Sequence, residues 1–127
     1  VASATHSIAP NNFAEAPVEA IRKVVDKAGL DLHDIDLFEI NEAFAAVPLV
    51  AIKQLQIDPD KVNVNGGAVS IGHPIGATGC IITVKAIHVL HRSGGRYALV
   101  TMCIGVGQGI AVALDDVGVG LRQAPAA

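Results

Sequence analysis

Residues 76–95, GATGCIITVKAIHVLHRSGG, constrain the fold more than any other stretch, because they read as one helix that is apolar on almost every face. Such a helix has to be covered on several sides. The expected helix starts at Gly76 and stops at Gly94-Gly95, where two glycines end the apolar period. Composition points the same way: hydrophobic residues make up 51% of the chain and charged ones only 17%, more apolar than an ordinary soluble domain. The surplus is expected to lie against another subunit or against more of a longer chain.

Other segments alternate between strand and helix patterns. Val18, Ile21, Val24, Val25 and Ala28 share one helical face, with Pro17 at the start and Gly29 just past the end. DIDLFEI (34–40) reads as a strand. NEAFAAVPLVAIKQL (41–55) has helical spacing, with Pro48 either in its first turns or kinking it. KVNVN (61–65) reads as a further short strand. RYALVTM (96–102) and GIAVALDD (109–116) read as neighbouring strands joined by the Gly-rich turn CIGVGQ, and VASATHSI (1–8) could add one more. The order β-α-β-α-β-α-β-β predicts an α/β layered fold, with a mixed, mainly parallel sheet covered by helices. One domain over 1–117 is expected, followed by a flexible tail at 118–127.

Several classes are disfavoured. A net charge of −3, three Phe and one Tyr give no basic, stacking-rich surface for nucleic acid. No apolar run reaches the roughly 18 residues that a membrane helix needs. The first residues lack the basic and apolar regions of a signal peptide, and without an initiator Met the chain is expected to begin inside a longer protein. Cys80 and Cys103 have no disulfide-framework spacing, which favours free thiols and a reducing compartment. The final PAA is not the peroxisomal S-K-L signal, so the expected location is cytoplasmic.

Chemistry concentrates in VNVNGGAVSIGHPIGATGC (62–80), where a β-branched run gives way to five glycines around one His-Pro pair. Ligands in α/β sheets bind beyond the carboxyl ends of parallel strands. Three reactive or polar groups fall at such ends: Asn41 after DLFEI, His73 after VNVN, and Cys103 after RYALVTM. A histidine can take a thiol's proton, and an asparagine can orient a water or donate to an oxyanion, so acyl chemistry is plausible. Each has a plainer reading: His73 as a loop residue fixed before Pro74, Cys103 as a small buried hydrophobe, Asn41 as a helix N-cap.

The motifs NEAFAA (41–46), VNVNGGAVSIGHPIGATG (62–79) and CIGVGQG (103–109), in that order and spacing, resemble the C-terminal half of a thiolase over nearly the whole chain. The resemblance implies one half of an α-β-α-β-α subunit, with residues 76–91 in the middle layer. It implies that His73 activates a nucleophilic cysteine and helps hold the thioester oxygen. Cys103 would be the second catalytic cysteine, moving protons at the substrate α-carbon and at the leaving or attacking thiol. Asn41 would fix a water at the first oxyanion hole, and the Gly105 N–H would help form the second. Ala43 and Phe44 would line the pantetheine channel. Cys80, on the helix read as buried, is assigned no role. The family usually has glycine where this chain has Val106, so that turn is expected to differ in shape.

No residue matches the acylated cysteine, which the family carries in its N-terminal half. The chain is therefore expected to need such a half, in the same or a separate chain, and to be inactive alone. Coenzyme A thioesters would be its substrates, with no permanently bound cofactor, and a homo-oligomer is expected. A non-catalytic acyl-CoA-binding or partner subunit is the alternative reading. A nucleotide-binding module is disfavoured, because GHPIGATG fits neither G-x-x-x-x-G-K-[ST] nor G-x-G-x-x-G. A metal site from Cys80, His88 and His91 is weaker still. Thiolysis or condensation, and acyl chain length, stay open.

Overall fold

The computed structural model describes residues 1–117; the expected tail at 118–127 lies outside them. In chain order the elements are β1 (Ala2–Ser7), α1 (Ala16–Ala28), β2 (Leu37–Ile40), α2 (Ala46–Leu55), the single turn α3 (Ala68–Ile71), α4 (Thr78–Ser93), β3 (Tyr97–Cys103) and β4 (Gln108–Asp115). They form an α/β unit around one four-stranded sheet of order β1-β4-β3-β2. The sheet is mixed, but its parallel share is smaller than expected: only β2 and β3 run parallel, while β4 lies antiparallel to both β3 and β1. The physical reason is the connection. A short turn after Cys103 can only return the chain antiparallel, whereas the long crossover through α2, α3 and α4 permits the parallel pair.

α1 forms as its period predicts, with Pro17 in the first turn and Gly29 at φ +67 closing the C-terminus. Its buried face, with α2, packs on one side of the sheet against Phe38, Ile40, Leu99, Ala111 and Ala113. On the other side, Ile82, Ala86, Val89 and Leu90 of α4 pack on Leu37, Ala98 and Val100. Burying each large side chain among these contributes about 1.5–3 kcal/mol. Because side chains alternate along a strand, Phe38 and Ile40 serve one layer and Leu37 and Glu39 the other.

Three expectations need correction. KVNVN is not a strand: Pro59–Lys61 is a 3-10 turn, Val62 makes one parallel bridge to Phe38, and Asn63 at φ +49 turns the chain away. The second helix starts at Ala46, not Asn41, which leaves Pro48 in its first turn, where a missing N–H costs nothing. Within this chain α4 is covered on one side only: Val84 is 52% and Ile87 40% exposed, and Cys80, expected on a buried helix, is exposed too. Part of the apolar surplus lies on this opposite stripe, and part on other exposed positions such as Phe44, Leu49, Val69 and Ile75. No helix among the described residues is long and apolar enough to cross a membrane.

Candidate active site

Asn41 follows directly on β2. Its N–H donates to the Thr101 carbonyl at 2.9 Å, extending the parallel ladder one residue past Ile40, and the residue is 2% exposed. It is therefore not a helix N-cap; that position belongs to Ala45. His73 lies in the loop between α3 and α4, exposed in this chain, rather than directly after a strand.

The hydrogen-bond network assigns a tautomer to the imidazole. The Thr78 hydroxyl donates its only hydrogen to the Pro74 carbonyl at 2.9 Å, so it must accept from His73 Nδ1–H at 2.7 Å. Nε2 then carries the lone pair. Asn41 Nδ2 stands 3.4 Å from it and donates, which sets the amide with nitrogen toward His73 and Oδ1 away. In that tautomer the basic nitrogen of His73 lies beside an amide donor.

The loop carrying His73 is held from below by residues that sequence reasoning missed. The Asn63 side chain pairs with the Ile40 backbone in both directions, Ile40 N–H to Oδ1 and Nδ2–H to the Ile40 carbonyl, each at 2.8 Å. Glu42 accepts from Asn63 Nδ2 at 3.2 Å and from the Val69 N–H at 2.9 Å. Gly67 makes this possible, since a Cβ there would overlap the Glu42 carboxylate. At Gly67 the close backbone approach is to the protein's own Glu42. Glu39, fully buried, takes an ion pair from Lys85 Nζ at 2.9 Å, and the same ammonium also donates to the Gly66 carbonyl. Burial pushes the Glu39 carboxyl above its usual range, with Lys85 pulling it back. A signal for the pair was present: Glu39 sits in the apolar run LFEI, and Lys85 is the only Asp, Glu, Lys or Arg between Lys61 and Arg92.

Cys103 ends β3 at the same sheet edge as Asn41. Its side chain, however, packs on the α1–α2 side of the sheet, whereas Asn41 shares a cavity with Thr78, Ile82 and Lys85 on the α4 side. The structure brings Asn41, His73 and Thr78 together and leaves Cys103 across the edge from them. Burial raises the Cys103 thiol above its ordinary value, against a smaller lowering by a backbone hydrogen bond. It holds its proton at neutral pH.

The turn after it is formed by Gly105, Val106 and Gly107 at φ +89, +49 and +75. Val106 therefore occupies the left-handed region that a β-branched side chain rarely enters. Ala43 is half-buried, and Phe44 is 64% exposed with its ring edge-on to Phe13 at 5.5 Å. Neither is core. No group of three His, Cys, Asp or Glu among the described residues could hold a metal ion.

Comparison with known proteins agrees with this architecture. The family profile described as "Thiolase, C-terminal domain" matches residues 1–116. The 3-oxoadipyl-CoA/3-oxo-5,6-dehydrosuberyl-CoA thiolase of Escherichia coli (strain K12) is 50% identical over 119 residues, covering 92% of this chain and 30% of the relative. Beta-ketothiolase BktB of Cupriavidus necator is 54% identical over 108 residues, 85% of this chain and 27% of that protein. The crystal structure of the Bacillus anthracis acetyl-CoA acetyltransferase superposes with a TM-score of 0.88 at 44% identity, over 91% of this chain and 29% of that one. The chain spans about 30% of the length of the relatives it matches.

Proposed function

The chain belongs to the thiolase family, matching its C-terminal domain, and on that premise we propose that it supplies the base-and-oxyanion half of an active site for acyl transfer between acyl thioesters and coenzyme A. The observation that carries the reading is the His73 imidazole, held by Thr78 with its basic Nε2 beside the Asn41 amide. A base needs that tautomer and a fixed direction.

In the proposed cycle, the long 3.4 Å contact from Asn41 Nδ2 gives way, and His73 Nε2 takes the proton of a nucleophilic cysteine supplied by an N-terminal half. The thiolate adds to the thioester carbonyl. As the C–S bond to coenzyme A breaks, the acyl group stays on the cysteine and the departing thiolate takes a proton. The new imidazolium N–H faces the developing oxyanion, and Asn41 holds a water beside it. Cys103, kept protonated by burial, serves as the proton donor to the leaving thiolate and, once ionised, as base at the substrate α-carbon. The Gly105 N–H holds the second oxyanion. Ala43 and the exposed Phe44 line the pantetheine path. The N-terminal half packs on the uncovered face of α4 around Val84 and Ile87.

The test uses this chain assembled with an N-terminal thiolase half. His73→Ala should slow acyl-enzyme formation from acetyl-coenzyme A about 10²–10³-fold, the cost of one oxyanion donor, with loss of the base added to it. Cys103→Ala should leave that acylation partly intact while condensation falls about 10²–10⁴-fold. Mass spectrometry follows the acyl-enzyme and a product assay the condensation. Wild-type acylation by His73→Ala would overturn the reading.

A further inference from the structure

We propose that Glu39 is a positioning residue for the His73–Asn41 pair, holding one internal water against Asn41 Oδ1 and, through Lys85, fixing the Gly66 carbonyl just before α3, the turn that leads into the His73 loop. The inference rests on the thiolase reading above, and deepens it with a residue that does not touch substrate. Among the described residues Glu39 is the only buried charged side chain. A charge in that position needs every lone pair answered. Lys85 Nζ answers Oε2 at 2.9 Å.

Glu39 Oε1 and Asn41 Oδ1 are both buried, and neither meets a donor among the described residues. Two residues apart on one strand direction, they face the same layer, and both line a cavity of about 10 Å³ together with Asn63, Gly67, Thr78 and Lys85. That is room for one water; the rest of the wall is largely apolar, with Ile40, Ile71 and Ile82, so the two oxygens left without donors are the partners that would hold it. Two acceptors and one water balance: each hydrogen goes to one oxygen.

The consequence reaches His73 through the orientation of an amide. Thr78 makes Nε2 an acceptor, so Asn41 must present Nδ2 to it and Oδ1 to the cavity. A water already donating from Glu39's side rewards that orientation and penalises the flipped one, which would set the amide oxygen against the Nε2 lone pair. Lys85 adds a second tie by donating to Gly66, two residues before α3, which leads into the His73 loop. Glu39 thereby keeps a donor beside the base without approaching the reacting atoms.

The test again uses the assembled enzyme. A high-resolution crystal structure of the wild type should show a water within hydrogen-bond distance of both Glu39 Oε1 and Asn41 Oδ1. The paired replacement Glu39→Leu/Lys85→Leu removes the charges together, a change that buried ion pairs often tolerate without loss of fold. It should lower the rate of acyl-enzyme formation roughly 10–100-fold through misplacement of the base, with KM for acetyl-coenzyme A and the thermal midpoint unchanged. A double variant acylating at the wild-type rate, or a change confined to KM, overturns the proposal. So does a wild-type map without that water, which decides the matter even if the double variant does not fold. His73→Ala run in parallel separates the two claims: if it is slow while the double variant is not, only the role of Glu39 fails.

Discussion

The side-chain amide of Asn63 lies along the backbone of Ile40 as a missing strand would, exchanging two hydrogen bonds of 2.8 Å with its N–H and carbonyl. It replaces the rung that KVNVN cannot supply, because the backbone of Asn63 is itself left-handed. Asn63→Ala should destabilise the chain by about 2–4 kcal/mol, through two buried groups left unpaired and an alanine held at positive φ. Asn63→Gly keeps the first loss and removes the second, so it should be milder. Urea unfolding of the three proteins checks the order; equal stabilities would show that the amide carries no rung.

Val106 offers the opposite experiment. It is 80% exposed and sits at φ +49, so its side chain contributes little packing against a backbone cost. Val106→Gly should stabilise by about 0.5–1 kcal/mol, the left-handed penalty less the entropy of the added glycine. A chain of 127 residues falls between the small- and medium-domain ranges, so each kcal/mol is worth about 3–5 °C in Tm. An unchanged or lower midpoint by calorimetry would refute it.

Gly67 has an ordinary φ of −133, so no conformational argument protects it. Its constraint is contact with Glu42. Gly67→Ala should cost about 2–3 kcal/mol by pushing the carboxylate off Val69 and Asn63. In a double-mutant cycle, adding Glu42→Ala should recover part of that loss. Strict additivity would mean that the two residues do not meet.

The thiols separate by burial. Cys80 is exposed and Cys103 half-buried with its pKa above the ordinary 9.0. Iodoacetamide at mild alkaline pH should label Cys80 first in the chain alone, with Cys103 lagging. The folded state holds the Cys103 proton more tightly than the unfolded one, so this group's contribution to stability falls as pH rises past 9.0 toward the shifted value. Peptide mapping that finds Cys103 modified first would contradict the assignment.

Local rules were enough for α1, whose apolar period, Pro17 and Gly29 all agree, and for β3 and β4, where β-branched runs flank a glycine turn. Asn41, His73 and Cys103 could be picked out as candidates because each follows a pattern change. Their relation could not. Whether Cys103 leaves the sheet on the side of Asn41 depends on register between β2 and β3, a long-range pairing that no local pattern encodes. KVNVN misled because alternating valine and asparagine imitates a strand, while the left-handed tolerance of asparagine permits a turn. Thr78 was missed for a related reason: its bond to His73 closes a loop turn rather than a helical face.

α4 has two faces with different neighbours, and this gives its residues two different thermodynamic meanings. Ile82 and Ala86 face the sheet, so substitutions there register in the unfolding of this segment alone. Val84 and Ile87 are open to solvent in the same measurement, and their replacement by polar residues would pass there as silent. With the N-terminal half proposed above packed on that face, the same replacements would surface as weakened cohesion between halves. On the proposed assembly, a mutational scan of the segment by itself would misrank this helix, scoring as dispensable the side chains that the proposed contact between halves needs.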